Sequence, residues 1–141
     1  MRKITIIFLL SLIFLVQNLY TVAQSDSAYK FCKQFIQPPF VSDGQHYTAL
    51  ITDDDAAEFK VTFFGGYLYK VVGCGGNREG NLLFTILDSQ RNKLFSNEDY
   101  NNSAFWNFKF SSTMDCIIVA RLNRKKISTG WVTFLIGYKK Q

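Results

Sequence analysis

The chain reads as an all-β protein, an eight-stranded antiparallel β-sandwich of the jelly-roll kind with a short N-terminal helix. Three observations predict this. Apolar and polar residues alternate with period two through several short segments. Turn-forming residues separate those segments at regular intervals, the pattern of a two-sheet sandwich. Fourteen phenylalanines and seven tyrosines supply the aromatic surface that suits half-buried pleated strands. Eight strands divided between two sheets is the jelly-roll number.

The elements follow in order. Gln24 to Ala28 is polar and expected to fray. Tyr29 to Gln37 places Phe31, Cys32, Phe35 and Ile36 on one helical face, and Pro38-Pro39 stops the helix. This helix is expected to cover one end of the domain. Ser42-Asp43-Gly44 then introduces a first strand from His46 to Ile51, and Asp53-Asp54-Asp55 turns the chain into Glu58 to Phe64. There Phe59, Val61 and Phe63 face one way, and Glu58, Lys60 and Thr62 the other. Gly65-Gly66 is a hairpin signal leading into Tyr67 to Cys74. A glycine-rich loop, Gly73 to Gly80, precedes the more continuous apolar strand Asn81 to Asp88, and Ser89 to Asn92 turns into Lys93 to Ser96. After the polar loop Asn97 to Ser103, Trp106, Phe108 and Phe110 alternate with Asn107 and Lys109. Asp115 to Leu122 and Gly130 to Tyr138 complete the set.

Ahead of all this stands a leader. Arg2 and Lys3 precede an apolar run from Ile4 to Val16, and Thr21-Val22-Ala23 puts small residues where a signal peptidase reads them. Residues 1–23 are therefore expected to be a signal peptide cut between Ala23 and Gln24. The run falls short of the roughly 20 apolar residues a membrane span needs, and no cysteine follows the cut to carry a lipid. Residues 24–45 form the helix and extended lead-in, and residues 46–141 the sandwich. The product is expected outside the cytoplasm, periplasmic or secreted, with no membrane span after cleavage.

Residues 24–141 carry fourteen basic and eleven acidic side chains, a net +3 that argues against nucleic acid as partner. Arg124-Lys125-Lys126 is the one basic run and reads as a solvated turn. Cys32, Cys74 and Cys116 all lie in the exported part, where disulfides persist. An odd count allows one internal bridge and one leftover thiol. With strands alternating in direction, Cys74 ends the third and Cys116 begins the seventh, so the two lie at opposite ends and outside bridging distance. The start of the first strand, which Cys32 precedes, shares an end with the start of the seventh. The expected disulfide is Cys32–Cys116, with Cys74 reduced. No CxxC pair and a single histidine, His46, exclude the usual zinc sites.

The run Phe64-Gly65-Gly66 through Tyr69, then Asn81 to Asp88, then Lys93-Leu94-Phe95, resembles the small jelly-roll modules of secreted bacterial proteins, notably the prepeptidase C-terminal type. Gly130-Trp131-Val132 to Tyr138 fits the closing strand of that pattern. Phe105-Trp106-Asn107-Phe108 and Leu135 to Lys139 resemble short exported proteins of Bacteroidota. The resemblance covers most of Gln45 to Tyr138. It implies a fold and an extracytoplasmic habit, and it carries no active-site residues across. Such modules usually ride on large enzymes, whereas here no catalytic partner accompanies the module.

No residue set identifies a reaction or a cofactor. His46 would have to serve any histidine-based triad, but no GxSxG elbow accompanies it and it reads as a strand-edge residue. Asp53, Asp54 and Asp55 lack calcium-loop spacing and read as a turn. Asp88, Glu98, Asp99 and Asp115 could converge only through the fold. The Gly73 to Gly80 loop lacks the Gly-Lys-Ser/Thr ending of a phosphate loop; Cys74 within it would be a reactive thiol only if exposed. Asn101-Asn102-Ser103 matches a glycosylation acceptor, without weight in a bacterial chain. Trp106 shares the core face of Phe108 and Phe110. Trp131 opens a strand beside a loop and is the candidate ligand contact. The expected function is an exported, non-catalytic binding or accessory module at the cell envelope, its partner an envelope protein or a glycan. The alternative is a carbohydrate- or calcium-binding lectin-like domain, and a small hydrolase stands third.

Overall fold

The structure is a computed structural model that describes residues 26–141; the expected leader lies outside the described residues. A helix, α1, covers residues 26–33. Eight strands follow: β1 Val41–Thr52, β2 Ala56–Phe63, β3 Tyr67–Gly75, β4 Leu82–Asp88, β5 Lys93–Ser96, β6 Phe105–Lys109, β7 Met114–Leu122 and β8 Thr129–Lys140. A single 3₁₀ turn, Asn97–Tyr100, separates β5 from β6.

The strands form two four-stranded antiparallel sheets in the orders β1-β8-β3-β6 and β2-β7-β4-β5. The pairs β1–β8, β2–β7, β3–β6 and β4–β5 are those of one long hairpin rolled up on itself, which is the jelly-roll topology. The predicted fold class is therefore the observed one, and the limits of β5 coincide with those read from the sequence. β1 begins five residues before the predicted start at His46, because Val41 and Ser42 already pair with Tyr138 and Gly137 before a bulge interrupts the register up to His46.

The period-two pattern builds the core. Phe59, Val61 and Phe63 of β2, Cys116, Ile118, Ala120 and Leu122 of β7, and Phe84 and Ile86 of β4 face Val71 of β3 and Val132, Phe134 and Ile136 of β8. Phe134 sits at the centre, its ring 5.4 Å from Phe84 and 5.6 Å from Phe59. Trp106 and Phe108 pack against this core from the β6 edge, as predicted, but Trp106 is only half buried. Its ring lies 4.1 Å from that of Tyr100.

The outer face of the β1-β8-β3-β6 sheet carries α1. Tyr29 meets His46 on β1, Cys32 reaches β3, and Phe35, just beyond the helix, meets Phe105 on β6. The helix thus crosses the strands over the middle of the sheet and does not cap an end. It also begins by residue 26, within the stretch expected to fray, and stops at residue 33. Three-residue hydrogen bonds, Phe35 N to Cys32 O and Ile36 N to Lys33 O, tighten the chain there before Pro38-Pro39 is reached.

This crossing corrects the predicted disulfide. Cys32 bridges Cys74, with Cα atoms 5.7 Å apart, and Cys116 is the buried free thiol. The expectation placed Cys32 at the end where β1 starts. β1 starts opposite Tyr138, but the helix carries Cys32 to Thr133, whose carbonyl oxygen lies 3.4 Å from its Sγ. Five strand residues separate those two points, about 17 Å. Cys74 faces Thr133 across the β3–β8 ladder. Cys116 belongs to the other sheet and points into the core. The alternation of strand directions stands; the pairing drawn from it does not.

Asn97 closes the far end of the sandwich. Fully buried, it accepts from Phe84 N at 2.8 Å and donates to Leu82 O at 2.9 Å and Ser103 O at 3.2 Å. It thereby continues the β4 ladder beyond the end of β5. Asn97→Ala would leave three backbone groups unpaired, so a loss of about 2–3 kcal/mol is expected in denaturant unfolding. Asn97→Asp keeps the acceptor for Phe84 N but loses both donors, and should recover little. A variant within about 0.5 kcal/mol of the parent would show that water replaces the amide.

Candidate functional site

The two sheets have their β1 and β2 edges on the same side. There, at the end bearing the β2–β3 and β6–β7 turns, a cleft of about 750 Å³ opens between them. β1 contributes Asp43, Gln45 and Tyr47; β2 and its turn Lys60 to Gly65; β3 Tyr67 and Tyr69; β8 Ile136 and Tyr138.

Local sequence explains the shape. Ser42-Asp43-Gly44-Gln45 forms the bulge in β1, where Ser42 Oγ accepts from Gly44 N at 3.1 Å and Asp43 Oδ1 from Gln45 N at 2.9 Å. Gly44 takes φ 80°, a conformation costly for other residues. Bulges re-aim side chains, and here the cleft receives Asp43 and Gln45. Tyr47 donates its hydroxyl to Gln45 Oε1 at 3.0 Å. Partial burial raises the Asp43 carboxyl above the ordinary aspartate value, against the hydrogen bond from Gln45 N. Burial, and next the Asp43 charge, raise the Tyr47 phenol. Opposite, Tyr69 Oη accepts from Phe64 N at 2.9 Å and pins the hairpin. The Tyr67 ring lies 6.2 Å from Tyr69 and 5.9 Å, edge-on, from Tyr138. Gly65 packs its α-carbon against the β6–β7 turn, where a Cβ would meet Ser112 Cα at 2.9 Å. Phe64, beside it, is left 58% exposed at the rim.

The residues singled out from the sequence fall elsewhere. Trp131 is half buried on the outer face of β8, opposite exposed Leu50. Seven residues, about 23 Å of strand, separate it from Tyr138, and it does not line the cleft. His46 packs edge-on against Tyr29 at 5.4 Å. Asp53, Asp54 and Asp55 form the β1–β2 turn; Thr52 donates to Asp55 at 3.1 Å and Arg124 pairs with Asp54. Lys126 donates to Glu79 O at 3.3 Å, so the basic run joins two turns of the opposite end.

Three of the remaining acids each have a partner of their own. Asp88 accepts from Asn92 Nδ2 and N at 2.9 and 2.8 Å, which lowers its pKa. Asp99 pairs with Lys93 at 3.5 Å, and Asp115 accepts from Thr62 at 2.6 Å. Among the described residues, no three His, Cys, Asp or Glu side chains gather to hold a metal. The thiol of the glycine-rich loop is consumed in the disulfide with Cys32.

Cys116 is chemically quiet. Burial, with the Asp115 and Asp88 charges behind it, pushes its thiol up to about 11. At pH 8 the native protein should resist iodoacetamide, while unfolding without reductant should expose one alkylatable thiol per chain. Rapid alkylation of the native protein would contradict the burial.

The cleft escaped sequence reading because its tyrosines come from three strands, with Tyr47 and Tyr138 distant in the chain. The one local signal was Ser42-Asp43-Gly44, read there only as a turn.

No protein-family model matches the chain, and no curated protein matches it. Among solved structures it is similar to the periplasmic lysozyme inhibitor of g-type lysozyme, PliG, from Aeromonas hydrophila. The identity is 10%, and the match covers 73% of this chain and 90% of that one with a TM-score of 0.53. What the two chains share is a fold.

Proposed function

We propose that the protein is an exported, non-catalytic binding module of the cell envelope, and that the aromatic mouth between β1 and β2 is its recognition site. The observation that carries this reading is the cleft itself, rimmed by exposed Phe64 and walled by tyrosines on hydrogen-bonded strands. Concave, largely aromatic sites with a few placed polar groups are where ligands bind, and an exposed aromatic beside such a site is a natural anchor. The fold neighbour is described as an inhibitor, which supports a non-catalytic role and a protein partner such as a glycan-degrading enzyme. The likeness to prepeptidase C-terminal-type modules belongs to the same reading, as that of a small jelly roll with an extracytoplasmic habit. Export rests on the leader. No helix among the described residues is long and apolar enough to cross a membrane.

The lectin-like alternative is favoured by one observation, the four tyrosines lining the cleft. Its calcium form gains nothing from Asp54 and Asp55, which engage Arg124 and Thr52.

The test uses residues 24–141 with purified peptidoglycan sacculi and with lysozymes of several types. Co-sedimentation with sacculi, or slowed lysis by a lysozyme, is expected, with sacculi left intact by the protein alone. Phe64→Ala should weaken either effect several-fold without lowering thermal stability, since its ring is mostly exposed. Absence of both effects together with failure to bind any saccharide would overturn the reading, as would hydrolysis of sacculi by the protein.

A further inference from the structure

From the chemistry of the cleft we infer that its ligand is an uncharged saccharide, held at Tyr67 and Tyr138 and hydrogen-bonded by Asp43 and Gln45. This rests on the reading of the mouth as the recognition site and names what enters it.

Four observations converge. The cleft's volume, about 750 Å³, lies in the range that encloses a drug-sized ligand and would take a short oligosaccharide. Its walls offer the aromatic rings of Tyr67 and Tyr138, and the C–H faces of a pyranose are the apolar surface such rings accept. Its charged lining is balanced, with one carboxylate, Asp43, against one ammonium, Lys60. A strongly charged ligand would meet a like charge whichever sign it carried. Its polar groups have capacity to spare: among the described residues, the Tyr67 and Tyr138 hydroxyls and Gln45 Nε2 make no hydrogen bond, and Asp43 keeps one carboxylate oxygen unused.

The same features disfavour other occupants. A hydrocarbon chain would desolvate Asp43, Gln45 and two tyrosine hydroxyls without pairing them, at a cost for each. An extended peptide adding to the β1 edge needs a regular strand there, and β1 is bulged between Ser42 and His46 where it borders the cleft. A saccharide presents hydroxyls that both donate and accept around an apolar face, which matches a carboxylate, an amide and phenols set among rings.

The test is calorimetric titration of residues 24–141 with chitotriose, cellotriose, maltotriose and xylotriose. Saturable binding of at least one is expected. Tyr67→Ala should weaken it at least about tenfold, and Tyr138→Phe, which keeps the ring and removes the hydroxyl, about threefold to tenfold. Trp131→Ala should leave it unchanged, and matched melting curves exclude misfolding. Failure of all four sugars, or binding that survives Tyr67→Ala, would overturn the inference. If the sugars fail while a lysozyme is inhibited, the saccharide assignment falls and the binding-module reading stands. If sugars, sacculi and lysozymes all fail, both fall.

Discussion

Replacing Cys32 and Cys74 together by alanine should lower the melting temperature of the β-sandwich domain by about 10–15 °C, the largest effect expected of any change outside the central core. The bridge joins residues 42 apart in sequence, and closing a loop of that length restricts the unfolded chain by up to about 4 kcal/mol. It also holds α1 across the outer face of the β1-β8-β3-β6 sheet, where Val72, Leu135 and Phe105 lie beneath the helix and the turn that follows it. Without the bridge those side chains are covered only by packing, so the N-terminal segment should exchange its amides faster than the sandwich. Cys116→Ala should cost about 1 kcal/mol and leave the bridge intact. Peptide mapping without reduction that joined Cys32 to Cys116 would contradict the observed pairing, and a double variant melting with the parent would deny the bridge its role.

Phe134→Ala should cost about 3–5 kcal/mol, the usual penalty for emptying a large aromatic site in a packed core. Phe134 is fully buried on β8 and touches two strands of the facing sheet through Phe59 of β2 and Phe84 of β4. The same ring explains a glycine. A Cβ on Gly73 would stand 2.5 Å from Phe134 Cε1 and 2.9 Å from Leu82 Cδ2. Gly73→Ala should therefore destabilise by about 1–3 kcal/mol through overpacking. In Phe134→Ala the nearer obstacle is gone, only the end of the Leu82 side chain has to give, and the added methyl partly fills the vacated space. The double variant should consequently be more stable than the sum of the single losses implies, by about 1 kcal/mol or more. Additive losses in urea titrations would show that Gly73 is required by something other than this ring.

Much of the fold was legible because strand alternation is a local property. β2 shows it in Phe59, Val61 and Phe63, and β6 in Trp106 and Phe108, so the inward faces could be named before any sheet order was known. Regular turn spacing supplied the strand count, and the count suggested the jelly roll. What the pattern could not carry was placement across a sheet. The helical face of Phe31, Cys32, Phe35 and Ile36 says that something covers it, but not at which height or angle, and the disulfide depends on both. Trp106 reads as core by alternation, yet β6 is an edge strand and Tyr100 covers its ring. Asn97 looked like loop polarity, because its three bonds reach backbone up to fifteen residues away.

The proposed recognition surface was the least legible part. Trp131 drew attention as a large aromatic beside a loop, whereas the cleft is assembled from smaller aromatics separated in sequence and joined by the β1–β8–β3 ladder. That ladder brings Tyr67 and Tyr138 into contact at the end where the β1 bulge turns Asp43 and Gln45 toward them. Rigid strands thus fix the rings, while the bulge and the hairpin at Phe64 supply the rim.

The most direct test of the proposed recognition site is a residue-resolved amide spectrum of residues 24–141, recorded during titration with whichever sugar or lysozyme binds. Shifts confined to the β1 bulge, the Phe64 hairpin and the C-terminal half of β8 are the expected result. Shifts centred instead on Trp131, on the Arg124 turn or on the Tyr100–Trp106 edge would contradict it.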